Sequence, residues 1–122
     1  MSASILAVDD SASIRVAIKI ALSGAGYTVS EAVDGSDGLA KAQAGAYDLI
    51  VTDLNMPIMD GLTMIEEIRK SPAHTGVPII FLTTESDAAL KQRAKAAGAT
   101  GWLTKPFDPE QLTKIIKKVL GR

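Results

Sequence analysis

The apolar run Leu-Ile-Val at residues 49–51, which leads directly to Asp53, is the feature that most constrains the fold. Successive side chains of a strand point to opposite faces of its sheet, so a run that is apolar at every position needs cover on both faces. Such a strand is typical of a parallel sheet between two layers of helices. We expect Met56 and Pro57 to end the strand, because proline lacks a backbone donor and makes its predecessor extended. Asp53 is therefore predicted at the carboxyl end of a central strand, where open α/β sheets bind ligands.

Along the chain, short apolar runs typical of strands alternate with amphipathic segments typical of helices. Strands are predicted at residues 5–8, 28–32, 49–51, 79–82 and 101–103. Helices are predicted to begin after Ser11, Asp34, Asp60 and Asp108, and another to end at Gly98. Strands that alternate with helices indicate a parallel sheet covered on both faces. Five strands with right-handed crossovers favour a doubly wound, flavodoxin-like α/β fold, with strand order 2-1-3-4-5, over a closed barrel of eight strands.

The size and charge of the chain narrow the classes of function. Its 122 residues suit one domain that spans residues 1–122. With 13 basic and 14 acidic side chains the formal net charge is −1, so no overall field attracts nucleic acid or an anionic membrane. We therefore expect neither nucleic acid nor a membrane among its partners.

The cysteine and histidine content, and the lack of a signal peptide or a membrane-spanning stretch, give further expectations. The absence of cysteine excludes disulfides, thiolate metal sites and thiol nucleophiles. The single histidine, His74, lies in a predicted loop at residues 71–78, and we expect it to be solvated. The first five residues lack the features of a signal peptide, and no apolar stretch reaches the ~20 residues that span a bilayer. We therefore expect a cytoplasmic protein.

Polar groups follow the ends of the predicted strands. They are Asp9, Asp10, Asp53, Thr83 and Lys105. Because the carboxyl ends of parallel strands meet at one edge of the sheet, we expect these side chains to converge. Three carboxylates in one crevice repel one another, so they should hold protons or bind a cation. Oxygen ligands without histidine or cysteine favour a hard cation, and Mg²⁺ typically takes one or two carboxylates together with water and phosphate oxygens.

The other two of these residues, Thr83 and Lys105, are of the types that bind a phosphoryl group. Lys105 supplies a mobile positive charge and Thr83 supplies a hydroxyl donor. We predict that the Asp53 carboxylate attacks an incoming phosphoryl group to give an aspartyl phosphate, a reaction that depends mainly on positioning and electrostatics. The chain has no Walker A sequence and no Gly-rich nucleotide loop. The phosphoryl donor must therefore come from outside.

Taken together, these motifs resemble the receiver domain of two-component response regulators, and the resemblance covers the whole chain. It is carried by Asp9-Asp10, the segment TDLNMPIMDG at residues 52–61, Thr83-Thr84 and Lys105-Pro106-Phe107. The resemblance implies that a histidine kinase phosphorylates Asp53 and that Thr83 and Lys105 bind the phosphoryl group. It also implies a cis peptide bond between Lys105 and Pro106.

The resemblance also assigns the metal and its neighbours. It implies that Asp9 or Asp10, together with Asp53, holds Mg²⁺. The backbone carbonyl of Asn55 is a further ligand in this interpretation. The side chains of Asn55 and Glu85 are expected to influence how long the phosphate survives.

The output is expected to be a protein contact. Because 122 residues leave no room for an output domain, the chain is similar to the stand-alone chemotaxis type, which signals as a monomer by binding a partner such as the flagellar motor switch. In this family an aromatic residue of the fifth strand turns inward on activation, and Trp102 holds that position where tyrosine or phenylalanine is usual. The expected docking surface combines Trp102, the fourth helix and the lysines of the last helix, Lys114, Lys117 and Lys118.

Simpler interpretations remain open for single residues. An aspartate at a strand end is often a turn former or a helix cap, and a lysine before proline is often a solvated surface residue. Trp102 could be plain core, and Asn55 and Glu85 could be turn or loop residues. The combination of motifs, rather than any one residue, carries the interpretation.

Other functions remain open as well. The same chemistry would serve a phosphorelay intermediate or a phosphate sink. A metal-dependent phosphohydrolase of the haloacid dehalogenase type also uses an aspartyl phosphate, but it places the nucleophile after the first strand rather than the third. A flavodoxin-like FMN protein shares the fold, but the acidic first loop would repel the phosphate of the cofactor. We therefore expect no enzyme activity beyond the chain's own phosphorylation and self-dephosphorylation.

Overall fold

The computed structural model describes residues 3–71 and 76–121. Residues 72–75 of the predicted loop at 71–78, among them His74, which we expected to be solvated, lie outside the described residues. Within the described part of the chain, none of the helices combines the length and the hydrophobicity that a bilayer-spanning segment requires.

Five strands alternate with five helices along the described residues. The strands are β1 Ser4–Val8, β2 Thr28–Ala32, β3 Leu49–Thr52, β4 Ile79–Thr83 and β5 Gly101–Thr104. The helices are α1 Ala12–Gly24, α2 Gly35–Ala44, α3 Gly61–Lys70, α4 Ala88–Ala96 and α5 Pro109–Leu120. All neighbouring strands pair in parallel in the order β2-β1-β3-β4-β5. The predicted doubly wound, flavodoxin-like sheet is confirmed.

The central strand β3 is buried along its whole length. Its side chains divide between two apolar clusters, because alternate residues of a strand point to opposite faces. Ile50 packs in the cluster that contains Ile65 of α3. Leu49 and Val51 pack in the cluster that contains Ile18 of α1 and residues of α5. The helices therefore cover both faces of the sheet, as the unbroken apolar run predicted.

A side-chain cap begins every helix at the edge where the strands end. Ser11, Asp34, Asp60, Asp87 and Asp108 are the N-cap residues, and each accepts a hydrogen bond from a backbone N–H of the first turn. Such a cap satisfies one of the free donors of a helix start and contributes about 1 kcal/mol. The sequence analysis had not identified Asp87. These caps lie in the loops between the strand ends and the helices that follow them.

The predicted strand at 49–51 is close to β3, but the expectation that Met56 and Pro57 end it is wrong. The strand ends at Thr52, well before Met56 and Pro57. The N–H of Asp53 still donates to the backbone of β1, but the N–H of Leu54 turns to the Asp53 carboxylate at 2.7 Å. The side chain of Asp53 therefore replaces the ladder acceptor, and the chain leaves the sheet at that residue without the help of the proline.

Candidate functional site

Backbone hydrogen bonds between neighbouring strands position the polar residues at the carboxyl edge of the sheet. The N–H of Asp9 donates to Ala32 O at 3.1 Å, and the N–H of Asp53 donates to Val8 O at 3.0 Å. The N–H of Lys105, just beyond β5, donates to the carbonyl of Thr83 at 2.8 Å. Each side chain thus leaves a backbone that the parallel sheet holds in register.

Lys105 joins the two buried acids. Its Nζ atom lies 2.7 Å from Oδ2 of Asp9 and 3.2 Å from Oδ2 of Asp53. The side chains of Lys105, Asp9 and Asp53 are only 12%, 2% and 11% exposed. The predicted convergence of these residues on one edge is confirmed. The ammonium group of Lys105 offsets part of the negative charge of the two acids.

Burial and neighbouring charges have opposite effects on the pKa values of Asp9 and Lys105. Burial raises the pKa of Asp9 above its ordinary value, although the hydrogen bonds from Lys105 and from the N–H of Ser11 partly offset that effect. Burial alone would lower the pKa of Lys105, but the hydrogen bond to Asp9 and the negative charges of Asp53 and Asp9 together raise it. Lys105 is therefore a firmly charged ammonium group.

Asp9, Asp10 and Asp53 form an acidic cluster. One carboxylate oxygen from each can lie within 4.8 Å of the other two. Asp9 and Asp53 are buried, whereas Asp10 is exposed at the rim. A set of carboxylate oxygens with one solvent-facing member fits a hard divalent cation that keeps part of its water. The expected role of the Asn55 carbonyl as a further ligand stays a prediction.

A chain of hydrogen bonds leads from the site to β5 through Glu85. The hydroxyl Oγ1 of the buried Thr83 accepts a hydrogen bond from the Glu85 N–H at 3.4 Å. The indole Nε1 of Trp102 donates to the carbonyl of Glu85 at 3.1 Å, and Asn55 Nδ2 donates to Glu85 Oε1 at 2.8 Å. Glu85 thus connects the end of β4, the loop after β3 and the aromatic residue of β5.

Trp102 is half-buried rather than free at the surface. Its ring centroid lies 5.5 Å from that of Phe81 with the planes tilted by 45°. The ammonium of Lys91 lies 5.9 Å from the indole centroid, within the range of a cation–π contact. An open groove of about 300 Å³ runs beside Trp102, between α4 and β5. The predicted inward turn of this residue on activation stays a prediction.

The Lys105–Pro106 peptide bond and the lysines of α5 are as predicted. The peptide bond between Lys105 and Pro106 is cis, which confirms the prediction. Lys114, Lys117 and Lys118 are exposed on α5, as predicted.

The sequence analysis missed Arg15. The guanidinium of this α1 residue donates to the backbone carbonyl of Asp9 and to the carboxylate of Glu31. No motif marks Arg15, and its only sequence signal is its place one turn into the helix that follows the two aspartates.

Comparisons with known proteins agree with this geometry. The family model described as the response regulator receiver domain matches residues 5–117. The chain is 48% identical to the chemotaxis protein CheY4 of Vibrio cholerae, with a TM-score of 0.94, over 98% of this chain and 100% of the other. It is 30% identical, with a TM-score of 0.91 and complete coverage of both chains, to the receiver domain of the sensor histidine kinase PA1611 from Pseudomonas aeruginosa. That structure is described with a magnesium ion coordinated in the active site cleft.

Curated relatives give a second view. The chain is 34% identical over 122 residues to the probable transcriptional regulator ycf29 of Porphyra purpurea. The match covers all of this chain but only 58% of the relative. Other relatives are likewise named transcriptional regulators, and the chain spans about half of their length.

Proposed function

The chain belongs to the response regulator receiver domain family, and on that premise we propose that it is a two-component signalling module controlled by phosphorylation of Asp53. The observation that carries the proposal is the pair of ionic contacts from Lys105 to Asp9 and Asp53, at 2.7 and 3.2 Å. These contacts put the candidate nucleophile beside a cation and a second acid that can share a metal. The phosphoryl donor is a histidine kinase.

The reaction at this edge is an in-line transfer. An oxygen of Asp53 attacks the phosphorus of a phosphohistidine, the phosphorus–nitrogen bond breaks, and its electron pair stays on the imidazole nitrogen. As the negative charge moves to the phosphoryl oxygens, the ammonium group of Lys105 moves its contact from the Asp53 carboxylate to these oxygens. The hydroxyl of Thr83 donates a hydrogen bond to one of them.

A magnesium ion completes the proposed site. Asp9, Asp10 and Asp53 would hold it, with the backbone carbonyl of Asn55 as a further ligand, and it would offset the negative charge of the phosphoryl group. The acidic cluster and the magnesium ion described for the PA1611 receiver domain support this assignment.

We propose that the phosphoryl group changes the surface around Trp102. Movement of the Thr83 hydroxyl toward the phosphoryl group removes the acceptor of the Glu85 N–H, and Glu85 also holds the indole of Trp102. Phosphorylation then shifts the population between two states of this surface, and a partner protein recognises the difference. The groove between α4 and β5, lined by Lys91, Lys95 and Trp102, is the proposed docking surface.

The finer role that we propose is that of a stand-alone, monomeric chemotaxis regulator in the cytoplasm, with the flagellar motor switch as a candidate target. The 48% identity with CheY4, over 98% of this chain and 100% of the solved CheY4 chain, supports it. The chain acts as a binding module rather than an enzyme, apart from its own phosphorylation and self-dephosphorylation. The side chains of Asn55 and Glu85, which are hydrogen-bonded to each other, influence the lifetime of the phosphate.

Partner capture tests this role. Beryllofluoride, which mimics a phosphoryl group on aspartate, is added to the parent protein and to Asp53→Asn, and the proteins retained by each are identified. A partner retained only by the treated parent supports a binding module. Identical sets of proteins from treated parent, untreated parent and variant would contradict it.

Two alternative functions would give different biochemical results. A phosphorelay intermediate or phosphate sink returns its phosphoryl group rapidly to a histidine phosphotransfer domain and retains no effector. An aspartyl-phosphate phosphohydrolase turns over phosphomonoesters many times. Return transfer is measured with the labelled phosphoprotein, and multiple turnover is measured as phosphate released from an excess of phosphomonoester.

A further inference from the structure

The two adjacent aspartates after β1 are held in different ways. Asp9 is buried, and its side chain accepts hydrogen bonds from the N–H of Ser11 at 2.9 Å and from Lys105 at 2.7 Å. Asp10 is exposed, and its carboxylate has no hydrogen-bond or ion-pair partner among the described residues. The direction of the Asp10 side chain therefore depends on the backbone that carries it.

Arg15 holds that backbone. Its Nη1 atom donates to the carbonyl oxygen of Asp9 at 2.6 Å, and this carbonyl belongs to the peptide group that joins Asp9 to Asp10. A peptide group is planar, so fixing its carbonyl oxygen also fixes the direction in which Cα of Asp10 leaves it. The Arg15 side chain is only 14% exposed, which makes its charge-assisted hydrogen bond stronger than one at the open surface.

Glu31 fixes the other side of the guanidinium. The Nε atom of Arg15 donates to Glu31 Oε1 at 3.1 Å, and Glu31 lies on β2, which pairs directly with β1. The planar fork of arginine can reach both acceptors at once, whereas the ammonium of lysine has no such fixed geometry. The ion pair is partly exposed and by itself adds little to stability. Its effect is to orient the fork toward the Asp9 carbonyl.

We propose that Arg15 is a positioning residue that keeps the Asp10 carboxylate turned toward Asp9 and Asp53 for cation binding. The inference rests on the proposed function, because it concerns the Mg²⁺ site of that function. Arg15 does not touch the cation or the phosphoryl group. It acts through the Asp9–Asp10 peptide.

The test measures Mg²⁺ affinity of the unphosphorylated protein by isothermal titration calorimetry. Arg15→Met removes the donors but keeps an unbranched side chain that suits a helix. We expect its Mg²⁺ dissociation constant to rise by about 10-fold to 100-fold, the range typical for loss of a group that orients metal ligands. Arg15→Lys keeps the charge and one donor, so we expect a smaller rise.

A matched control separates positioning from stability. Arg69 also donates to a backbone carbonyl, that of Gly98 at 2.7 Å, but it lies at the end of α3, near the opposite edge of the sheet. Arg69→Met should lower the urea midpoint of unfolding and leave the Mg²⁺ dissociation constant at the parent value. This contrast would show that loss of a partly buried arginine contact alone does not weaken the metal site.

The outcomes are distinct. If the parent protein binds no Mg²⁺, the proposed function fails. If the parent binds Mg²⁺ and folded Arg15→Met binds it equally well, the inference about Arg15 is overturned while the proposed function stands. If Arg15→Met does not fold, Arg15→Lys decides, since a raised dissociation constant supports the inference and an unchanged one overturns it.

Discussion

The Nζ atom of Lys105 lies 3.2 Å from Oδ2 of Asp53, although 52 positions separate the two residues in the chain. The same ammonium group also bonds Asp9, so one lysine serves both buried acids. In the unmodified protein, the group that we propose for binding the phosphoryl oxygens already offsets part of the charge of the candidate acceptor. Binding of a cation or a phosphoryl group must therefore redistribute contacts that Lys105 now makes.

Lys105→Met should lower stability when Mg²⁺ is absent. Removing the cation leaves two buried carboxylates side by side, which costs on the order of 3 kcal/mol in the free energy of unfolding. Added Mg²⁺ should restore part of the loss and should bind more tightly than to the parent, because its competitor for the acids is gone. Urea unfolding with chelator and with Mg²⁺ measures both effects. Lys114→Met, on the exposed surface of α5, is the control, and equal stability of the two variants in chelator would contradict the prediction.

Asp10→Asn should remove stabilisation by Mg²⁺ without loss of stability in chelator. Because Asp10 is exposed, its charge contributes little to the metal-free fold. Mg²⁺ at about 100 times its dissociation constant should stabilise the parent by about 2.7 kcal/mol. The variant should gain much less at the same concentration, since it lacks one ligand. Glu66→Gln removes an exposed acid of α3 and should keep the full gain, so an equal gain for Asp10→Asn would remove Asp10 from the site.

Thr83→Val should uncouple Asp53 from Trp102. Valine keeps the shape of the buried threonine but removes the hydroxyl that accepts from the Glu85 N–H. Phosphorylation should slow by about 100-fold, as expected for loss of one donor to the phosphoryl oxygens. The change in Trp102 fluorescence on beryllofluoride binding should disappear. Thr84→Val, at the exposed neighbouring position, should leave both signals intact, and a full fluorescence change in Thr83→Val would refute the coupling.

Gly61→Ala should destabilise the fold and disturb Asp53. A Cβ atom at this position would lie 2.3 Å from the carbonyl oxygen of Asp53 and 2.7 Å from Cε1 of Phe81. Such overpacking costs about 1–3 kcal/mol, and the backbone of Asp53 must move to relieve it. Gly76→Ala meets no heavy atom within 4 Å and is the matched control. Thermal unfolding and labelling of Asp53 report the two effects, and parent-like values for Gly61→Ala would show that the contact is relieved elsewhere.

Much of the fold could be predicted because burial on both faces leaves a strong pattern. The unbroken apolar runs of β3 and β4 and the helix caps marked the alternation of strands and helices. The contact that ends β3 could not be predicted, because it is local: the carboxylate of Asp53 takes the N–H of Leu54 out of the ladder. Proline at position 57 was a strong signal for a turn but was not its cause.

The residues that meet at the candidate site could be predicted from the strand order, but their individual contacts could not. Parallel strands bring their carboxyl ends together, so the meeting of Asp53 with Lys105 followed from the strand order. The partners of each side chain did not follow, because they depend on distances of a few ångströms. The contacts of Arg15 with the Asp9 carbonyl and of Trp102 with the Glu85 carbonyl use backbone acceptors, which every residue offers and which therefore leave no mark in the sequence.

Intact-mass analysis after incubation with Mg²⁺ and acetyl phosphate tests most directly whether Asp53 is the phosphoryl acceptor. The parent protein should gain the mass of one phosphoryl group, located in the peptide that contains Asp53, and should gain nothing when the metal is chelated. Asp53→Asn should gain nothing in either condition. Labelling of Asp53→Asn at the parent level, or labelling of the parent at a different residue, would contradict the account.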